Sequence, residues 1–521
     1  MEIRKKNIHM SRQKAKGTLQ VTLEDDFNVP DTKPDIEKII TSEGYIEITE
    51  NNLLNGKCMV KGVLSFGMIY ISHESEQMVH NIQGRIDFDE MVNLEHLQMD
   101  DQVKISYRIE DLNISLINSR KISVKSLLYL ECSVSELYDT EIATDMEDAE
   151  HIACRYGNMP VTELAIDKKD ILRIKESFHL STGKPNIFEV LYYNLRLQGL
   201  EMRLQEGQIS IRGELILFLM YRSAEEREQL AYFEAEQPFH TSIDCNGCTE
   251  DMILQVEFGN ISKELQIKPD EDGEERTMET ELCCNLDMKV YRQEEVRYLE
   301  DAYSLGKDLQ LENKLVKYRN LVSKNAIQKR LTQQIPIDVT KHRILQNWHS
   351  WGQIQIEEQE WREEGIYIEG SVEASVLYIG EDDQVPMGEL KASIPFSHTI
   401  EITGKPGNME YVLLPQLEQM ATMLLGRDSM EIKANIGIEV FVFENREYNM
   451  IQDAKLVDLP SGKLEEIPSL VGYQVQQGES LWDIAKQFHT TIEEIENLNQ
   501  VEEAKVKKGD KLLLLKKVGS H

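Results

Sequence analysis

The chain has 521 residues and a formal net charge of −35, with 41% apolar and 29% charged residues. This length exceeds one ordinary core, so we expect several domains, and the composition is typical of folded soluble protein. Such a negative chain would repel nucleic acid, which argues against nucleic acid as a partner. The basic segment 1–17 is the exception, and we predict that it is a solvated N-terminal arm.

The sequence gives no sign of export. Residues 1–20 are basic but lack the apolar run of a signal peptide, and a stretch of about 18 apolar residues, as a membrane span needs, is absent. We therefore expect a cytoplasmic chain without a transmembrane segment. The seven cysteines are sparse for this length, which favours free thiols over a disulfide framework.

One pattern recurs three times at a period of roughly 150 residues. In each copy a glycine is followed eight positions later by a tyrosine and a further 18 positions later by a phenylalanine, and a lysine stands 29 positions before the glycine. The positions are Gly62, Tyr70 and Phe88; Gly213, Tyr221 and Phe239; Gly370, Tyr378 and Phe396; and the lysines Lys33, Lys184 and Lys341. The chain therefore contains a triplicated domain, and each copy is long enough to have its own core.

Each copy is predicted to be mainly β. Segments such as "CMVKGVLSFGMIYI" and "MEIKANIGIEVFVF" alternate or run apolar, with β-branched and aromatic enrichment. The periodicity does not separate a sandwich from a barrel. The shared glycine indicates a bulge or a close backbone approach, and the tyrosine and phenylalanine are predicted to face the core. A short helix is expected after "KPDI" and "KPNI", because proline fits a first helical turn.

The domain bounds follow from the repeat spacing. We predict copies at 18–150, 160–295 and 320–455, a linker at 456–471 and a small C-terminal domain at 472–517. The linker contains the proline and glycine residues of a breaker segment. The charged connectors near 136–165 and 291–326 are predicted to be partly helical spacers.

The sequence gives no positive support for catalysis or for a cofactor. Neither HExxH nor a GxSxG elbow is present, and "TGKPN" departs from a phosphate loop because proline replaces the Ser/Thr. We therefore expect a protein that is not an enzyme. One alternative stays open, a zinc site made of Cys245, Cys248, Cys283 and Cys284. Adjacent cysteines on a strand point to opposite faces, which disfavours that ligand set.

The C-terminal segment "GYQVQQGESLWDIAKQFHTTIEEIENLNQ", with "VKKGDKLLLL", predicts the order strand–helix–helix–strand. Ser480 and Thr491 are the expected helix N-caps. The segment is similar to a LysM domain over its whole length. LysM domains that bind N-acetylglucosamine polymers use a shallow groove between two loops. That resemblance implies a set of candidate partner-binding residues, namely Gly478, Glu479, Ser480, Leu481, Trp482 and Asn499.

Three β-rich copies with "KPDI" or "KPNI", followed by one LysM-like domain, resemble the SPOCS/LysM spore-coat morphogenetic proteins of endospore-forming Firmicutes. The resemblance implies a non-enzymatic coat-assembly scaffold in the mother-cell cytoplasm, at the forespore surface. It also implies that the LysM domain binds the coat ATPase SpoIVA, with other coat proteins as further partners.

Two alternatives accompany this interpretation. Trp482 is the first candidate for the contact with SpoIVA, and packing in the core is its alternative role. The alternative function is a cell-wall protein that binds peptidoglycan or other N-acetylglucosamine polymers.

Overall fold

A computed structural model gives the fold and describes residues 2–74, 76–98, 101–147, 151–226, 229–340, 343–382, 384–402, 406–458, 469–502 and 506–515. The repeat lysine Lys341 and most of the predicted linker lie outside these residues. Among the described residues, no helix has the length and apolar character that crossing a membrane requires.

Each copy consists of six strands in the same order. Copy one has β1 (Glu2–Asn28), β2 (Lys38–Leu54), β3 (Lys57–Ile71), β4 (Val79–Asn93), β5 (Val103–Asn118) and β6 (Lys121–Glu147). Copy two has β7 (Ile152–His179), β8 (Ile187–Gln205), β9 (Gln208–Ser223), β10 (Leu230–Asp244), β11 (Ile253–Pro269) and β12 (Glu275–Ser304). Copy three has β13 (Asp308–Pro336), β14 (Ile344–Arg362), β15 (Gly365–Asp382), β16 (Val385–Glu401), β17 (Met409–Leu424) and β18 (Ser429–Val457).

The six strands of each copy form two open three-stranded antiparallel sheets. In copy one these are β2–β3–β4 and β1–β6–β5, and copies two and three repeat the same orders. Apolar residues from the central strands meet between the sheets, including Leu64 and Tyr70 from β3 and Leu128 from β6. Each copy is therefore a β-sandwich, and the prediction of a mainly β chain is confirmed.

The repeated glycine and phenylalanine face each other across neighbouring strands. Gly62 is the register partner of Phe88, and copies two and three pair Gly213 with Phe239 and Gly370 with Phe396. A bulge in the strand on the other side lies opposite each glycine. A Cβ on Gly62 would come within 2.5 Å of the Phe88 ring. The glycine thus permits a close approach that any side chain would block.

The repeated tyrosine accounts for the "KPD" and "KPN" segments. Tyr70 and Tyr221 are fully buried. The Tyr70 hydroxyl donates to the carbonyl of Pro34 at 3.1 Å, and the Tyr221 hydroxyl donates to that of Pro185 at 3.0 Å. Tyr378 of copy three is buried as well. In copies one and two the tyrosine therefore anchors the turn between the first and second strands to the core.

The helix that we predicted after these segments is wrong. The backbone makes a turn, with the N–H of Lys33 bonded to Pro30 and that of Lys184 bonded to Ser181, and then enters β2 or β8. The residue before a proline avoids helical angles, and "IITSEGYIEI" that follows is strand-like. Lys33 also donates to Glu189 of copy two at 3.2 Å.

Three segments that we predicted to be a solvated arm or partly helical spacers consist largely of strand. The basic arm 1–17 belongs to β1, where its cations lie beside acidic residues of β6, as in the Arg12–Glu136 and Lys16–Glu131 pairs. The described residues of the connectors 136–165 and 291–326 belong mostly to β6, β7, β12 and β13. Copy two accordingly extends over 152–304, beyond the predicted 160–295. Burial of alternate residues overrides the helix propensity of these charged segments.

These long strands build a stem from all three copies. In each copy the outer halves of the first and last strands pair as a two-stranded ribbon, and the three ribbons share one apolar core. Equivalent residues of the three copies meet there, as Ile8, Met159 and Val316 do, and as Met10, Val161 and Tyr318 do. The copies are therefore arranged around a pseudo-threefold axis.

A second shared core closes the copies into a ring. It contains Ile69, Met220 and Leu377, which are equivalent positions of β3, β9 and β15. The fourth strand of each copy contacts the second strand of the next. Examples are Asn81 donating to the carbonyl of Leu191 at 3.1 Å, and His349 bonded to Glu234 at 3.2 Å. Copies three and one also meet, where His73 Nε2 lies 2.8 Å from the Gln384 carbonyl oxygen.

The glycine contact predicts a specific loss of stability. We expect Gly62→Ala to lower the unfolding temperature, because the Cβ overpacks against Phe88, which typically costs about 1–3 kcal/mol. Gly67→Ala is the matched control in the same strand, since its Cβ would meet its nearest neighbour at 3.9 Å. Thermal unfolding followed by circular dichroism compares the two. Equal unfolding temperatures would contradict the close approach.

The interface between copies one and two predicts an acid-dependent loss of stability. Burial, and then Arg222, lowers the pKa of His80 from 6.5 to about 4. The unfolded chain therefore takes up a proton at higher pH than the folded chain does. The resulting destabilisation is absent above about pH 6.5, grows as the pH falls towards 4 and is then constant. We expect His80→Asn to show a shallower decline of unfolding temperature between pH 7 and 4.5, and an unchanged slope would contradict this.

Candidate functional site

The C-terminal domain contains β19 (Leu470–Gln474), α1 (Leu481–Gln487), α2 (Ile492–Asn499) and β20 (Lys511–Leu515). This is the predicted βααβ order. Ser480 caps α1 through a capping box with Asp483, and Thr491 caps α2 by accepting the N–H of Glu494. These caps fix both helix starts, as the sequence predicted.

The loop before α1 contains three of the candidate partner-binding residues. Gly478 has a φ of +87°, which favours glycine, and a Cβ built there would meet open space. Glu479 accepts bonds from the Tyr473 hydroxyl at 2.8 Å and from the backbone N–H of Gln476 at 2.8 Å. The bond to Glu479 raises the pKa of Tyr473. Together with the Ser480 cap, these contacts give the loop a fixed shape.

Two other candidates hold the domain together. Leu481 is buried in the core of the domain beside Ile484 and Leu512. The Asn499 side chain joins α2 to β20, because it donates to the Leu513 carbonyl at 2.8 Å and accepts the Leu513 N–H at 2.6 Å. The structure does not place these two side chains in a free binding surface.

Trp482 packs against copy two. Its side chain is 5% exposed, and its ring meets that of Tyr303 edge to face, with centroids 4.9 Å apart. The Arg155 guanidinium lies over the indole at 5.3 Å. The tip of the copy-two ribbon thus becomes part of the core of the C-terminal domain.

Asp301 of β12 is the polar centre of this contact. Its carboxylate accepts the indole N–H of Trp482 at 2.7 Å and two bonds from Lys486 Nζ at 2.7 and 2.8 Å. The Tyr303 hydroxyl donates to the carbonyl of Thr490 at 2.7 Å. Burial, followed by the nearby Asp301 charge, raises the pKa of Tyr303 to about 12, so the phenol stays protonated as a donor. The surface formed by Trp482, Lys486 and Thr490, called the α1 face below, is therefore held against β12 by both charge and aromatic packing.

All three ribbons carry the aspartate, but the C-terminal domain docks on one ribbon. A one-residue bulge precedes Asp145, Asp301 and Asp453 at equivalent places, and each carboxylate accepts the N–H of the next residue. Asp145 is instead bonded to the Tyr156 hydroxyl at 2.7 Å, which lowers its pKa. Two residues after the aspartate the copies differ, with Glu147, Tyr303 and Lys455. The tyrosine distinguishes copy two.

The four candidate zinc ligands are not brought together. Cys284 is buried in the copy-two core, whereas its neighbour Cys283 lies on the other face of β12 near Glu281. Cys245 and Cys248 are buried in a turn, where the N–H of Cys248 bonds to the Cys245 carbonyl at 3.1 Å. Within the described ranges, no group of three or more potential ligands is close enough to hold a metal.

Comparison with protein families finds the SPOCS domain of SipL at residues 35–117, 186–267 and 343–425, and a LysM domain at 473–514. The architecture is thus that of a protein with three SPOCS domains followed by one LysM domain. This arrangement matches that of SipL-like proteins, which combine SPOCS domains with a LysM domain. Comparisons with curated proteins and with solved structures give no match.

The sequence did not indicate the docking residues Asp301 and Tyr303. They lie in "VRYLEDAYSL", within a charged connector that was interpreted as helical. The bulge after Leu299 breaks the period-two pattern that would have identified a strand. A usable signal was the recurrence of aspartate at the end of each copy.

Removal of the Asp301 contacts is predicted to release the LysM domain from the copy-two ribbon. We expect Asp301→Ala to leave Trp482 and Lys486 without their acceptor, which costs about 1–3 kcal/mol and weakens docking. Small-angle X-ray scattering should then show a larger radius of gyration, and trypsin should cleave faster after Lys486, whose side chain is bound to Asp301 in the docked domain.

Asp453→Ala is the matched control for this release, since Asp453 occupies the same place on the copy-three ribbon. It should leave both readouts at wild-type values. Identical behaviour of the two variants would contradict docking through Asp301.

Proposed function

We propose that this chain is a non-enzymatic scaffold of the spore coat, which acts in the mother cell at the forespore surface and binds the coat ATPase SpoIVA through its LysM domain. The observation that supports this most is the single LysM domain set on the end of a three-copy body. Such a body offers broad sheet surfaces for assembly, and the LysM domain supplies one distinct contact.

The character of the clefts supports a scaffold over an enzyme. A cavity of about 770 Å³ lies open between copies two and three and is bordered by Glu201, Arg212 and Gly213. Arg212 and Glu201 already form an ion pair at 2.6 Å. The buried histidines His80 and His349 lie in the contacts between copies. Burial in these contacts lowers their pKa values, so packing accounts for the change.

Glycan binding is the second candidate function. The LysM match and the fixed loop around Gly478 favour it, because glycan-binding LysM domains use the corresponding loop. The α1 face favours a protein partner instead. Its docked ligand is a polypeptide strand, held by a charged Lys486 and the indole N–H.

A two-arm capture experiment separates the candidates. The immobilised full chain is offered SpoIVA from sporulating cells in one arm and soluble peptidoglycan fragments or chitin oligomers in the other. We expect capture of SpoIVA. Trp482→Ala should weaken it at least tenfold, since truncating a buried interface tryptophan costs about 2 kcal/mol or more.

The control for this experiment is Trp361→Ala, which removes a tryptophan packed on Tyr411 in copy three and should retain capture. Binding of glycan without SpoIVA would replace the proposal by the cell-wall alternative. Equal capture by both variants would place the contact outside the LysM domain.

A further inference from the structure

Every second residue at the end of the copy-two ribbon contacts the LysM domain. Asp301 and Tyr303 contact the LysM domain, whereas Ala302 between them is buried in the core of the stem. Successive side chains of a strand point to opposite sides, so the aspartate and the tyrosine of an Asp-x-Tyr segment lie on the same side. The LysM domain thus binds a short strand through two side chains that are two residues apart.

The α1 face is complementary to both side chains. Trp482 Nε1 and Lys486 Nζ converge on one carboxylate, and the Thr490 carbonyl accepts the tyrosine hydroxyl. His489 Nδ1 lies 3.1 Å from the backbone carbonyl oxygen of Ser304, one residue further along the strand. The face therefore combines a cation, an indole donor, an aromatic surface and backbone contacts, which together suit an acidic and aromatic peptide.

A comparison of the three ribbon ends identifies the residue that determines where the LysM domain docks. All three ribbons end in a bulge followed by aspartate, in the segments "IATDMED", "YLEDAYS" and "MIQDAKL". The LysM domain lies on the second, which alone has tyrosine two residues after the aspartate. Glutamate at that position in copy one and lysine in copy three lack the ring that packs on Trp482.

We propose that the α1 face of the LysM domain is a recognition site for an extended protein strand with the pattern Asp-x-Tyr, and that β12 occupies this site in the free chain. The inference rests on the proposed function in that the partner bound through the LysM domain presents such a strand. A partner then competes with β12 for the site. The partner's apparent affinity is its intrinsic affinity multiplied by the fraction of chains in which β12 is undocked.

The chemistry favours a protein strand over a glycan at this face. Lys486 and the indole N–H converge on a carboxylate, and an uncharged N-acetylglucosamine polymer carries no group that would neutralise the lysine. The aromatic part of the site is supplied by Trp482 and completed by the ligand's tyrosine ring. A carboxylate satisfies the lysine and the indole N–H, and an aromatic ring two residues later packs on Trp482.

The test measures binding of a labelled synthetic peptide, YLEDAYS, to the full chain by fluorescence anisotropy. In the variant Asp301→Asn/Tyr303→Lys the chain's own strand is a poor ligand, so the site is available. We expect this variant to bind the peptide at least tenfold more tightly than the wild-type chain does. The matched peptides YLENAYS and YLEDAES should each bind at least tenfold more weakly than YLEDAYS.

A second variant guards against misfolding of the first. Asp301→Asn alone keeps the tyrosine packing and should bind YLEDAYS with intermediate affinity, while added Lys486→Ala should abolish that binding. Equal binding of the three peptides, or no binding by either opened variant with an intact circular dichroism spectrum, would overturn the proposal. The assay contains no SpoIVA, so its failure is distinct from failure of the capture experiment.

Discussion

The apolar core shared by the three long ribbons determines where everything else in the molecule lies, because each ribbon continues directly into the sandwich of its own copy. Equivalent residues such as Ile8, Met159 and Val316 meet in this core. Once the ribbons pack together, the sandwiches are brought side by side, and the ring contacts through Ile69, Met220 and Leu377 follow. Each ribbon alone would expose one apolar side to water, so the copies stabilise one another.

The repeated architecture offers three equivalent docking places, and small differences in sequence select one of them. The aspartate after the bulge is present on all three ribbons, but the tyrosine two residues later occurs in copy two. The single LysM domain thereby breaks the pseudo-threefold arrangement. A body with near-equivalent sides is suited to assembly contacts, and one asymmetric domain is suited to a specific partner.

The sequence predicted the features that depend on local patterns. The period-two runs indicated mainly β domains, the Gly–Tyr–Phe spacing indicated three copies, and the caps Ser480 and Thr491 indicated both helices of the C-terminal domain. It did not predict features whose partners are distant along the chain. The connectors looked helical because glutamate and other charged residues are frequent there, whereas their alternate residues are buried only when three copies meet. Asp301 was one carboxylate among many, and the contact that distinguishes it comes from Trp482, far along the chain.

The central claim is that the three copies close into a ring and do not extend as a string. The contact between copies one and three tests it most directly, because in a string these copies are separated by copy two. A photoreactive amino acid at position 73, where His73 lies beside the Gln384 carbonyl, can be activated in the dilute full chain and its products analysed by mass spectrometry. The account predicts an intrachain cross-link to the peptide that contains Gln384. Cross-links confined to copy one, with none to copy three, would contradict the ring.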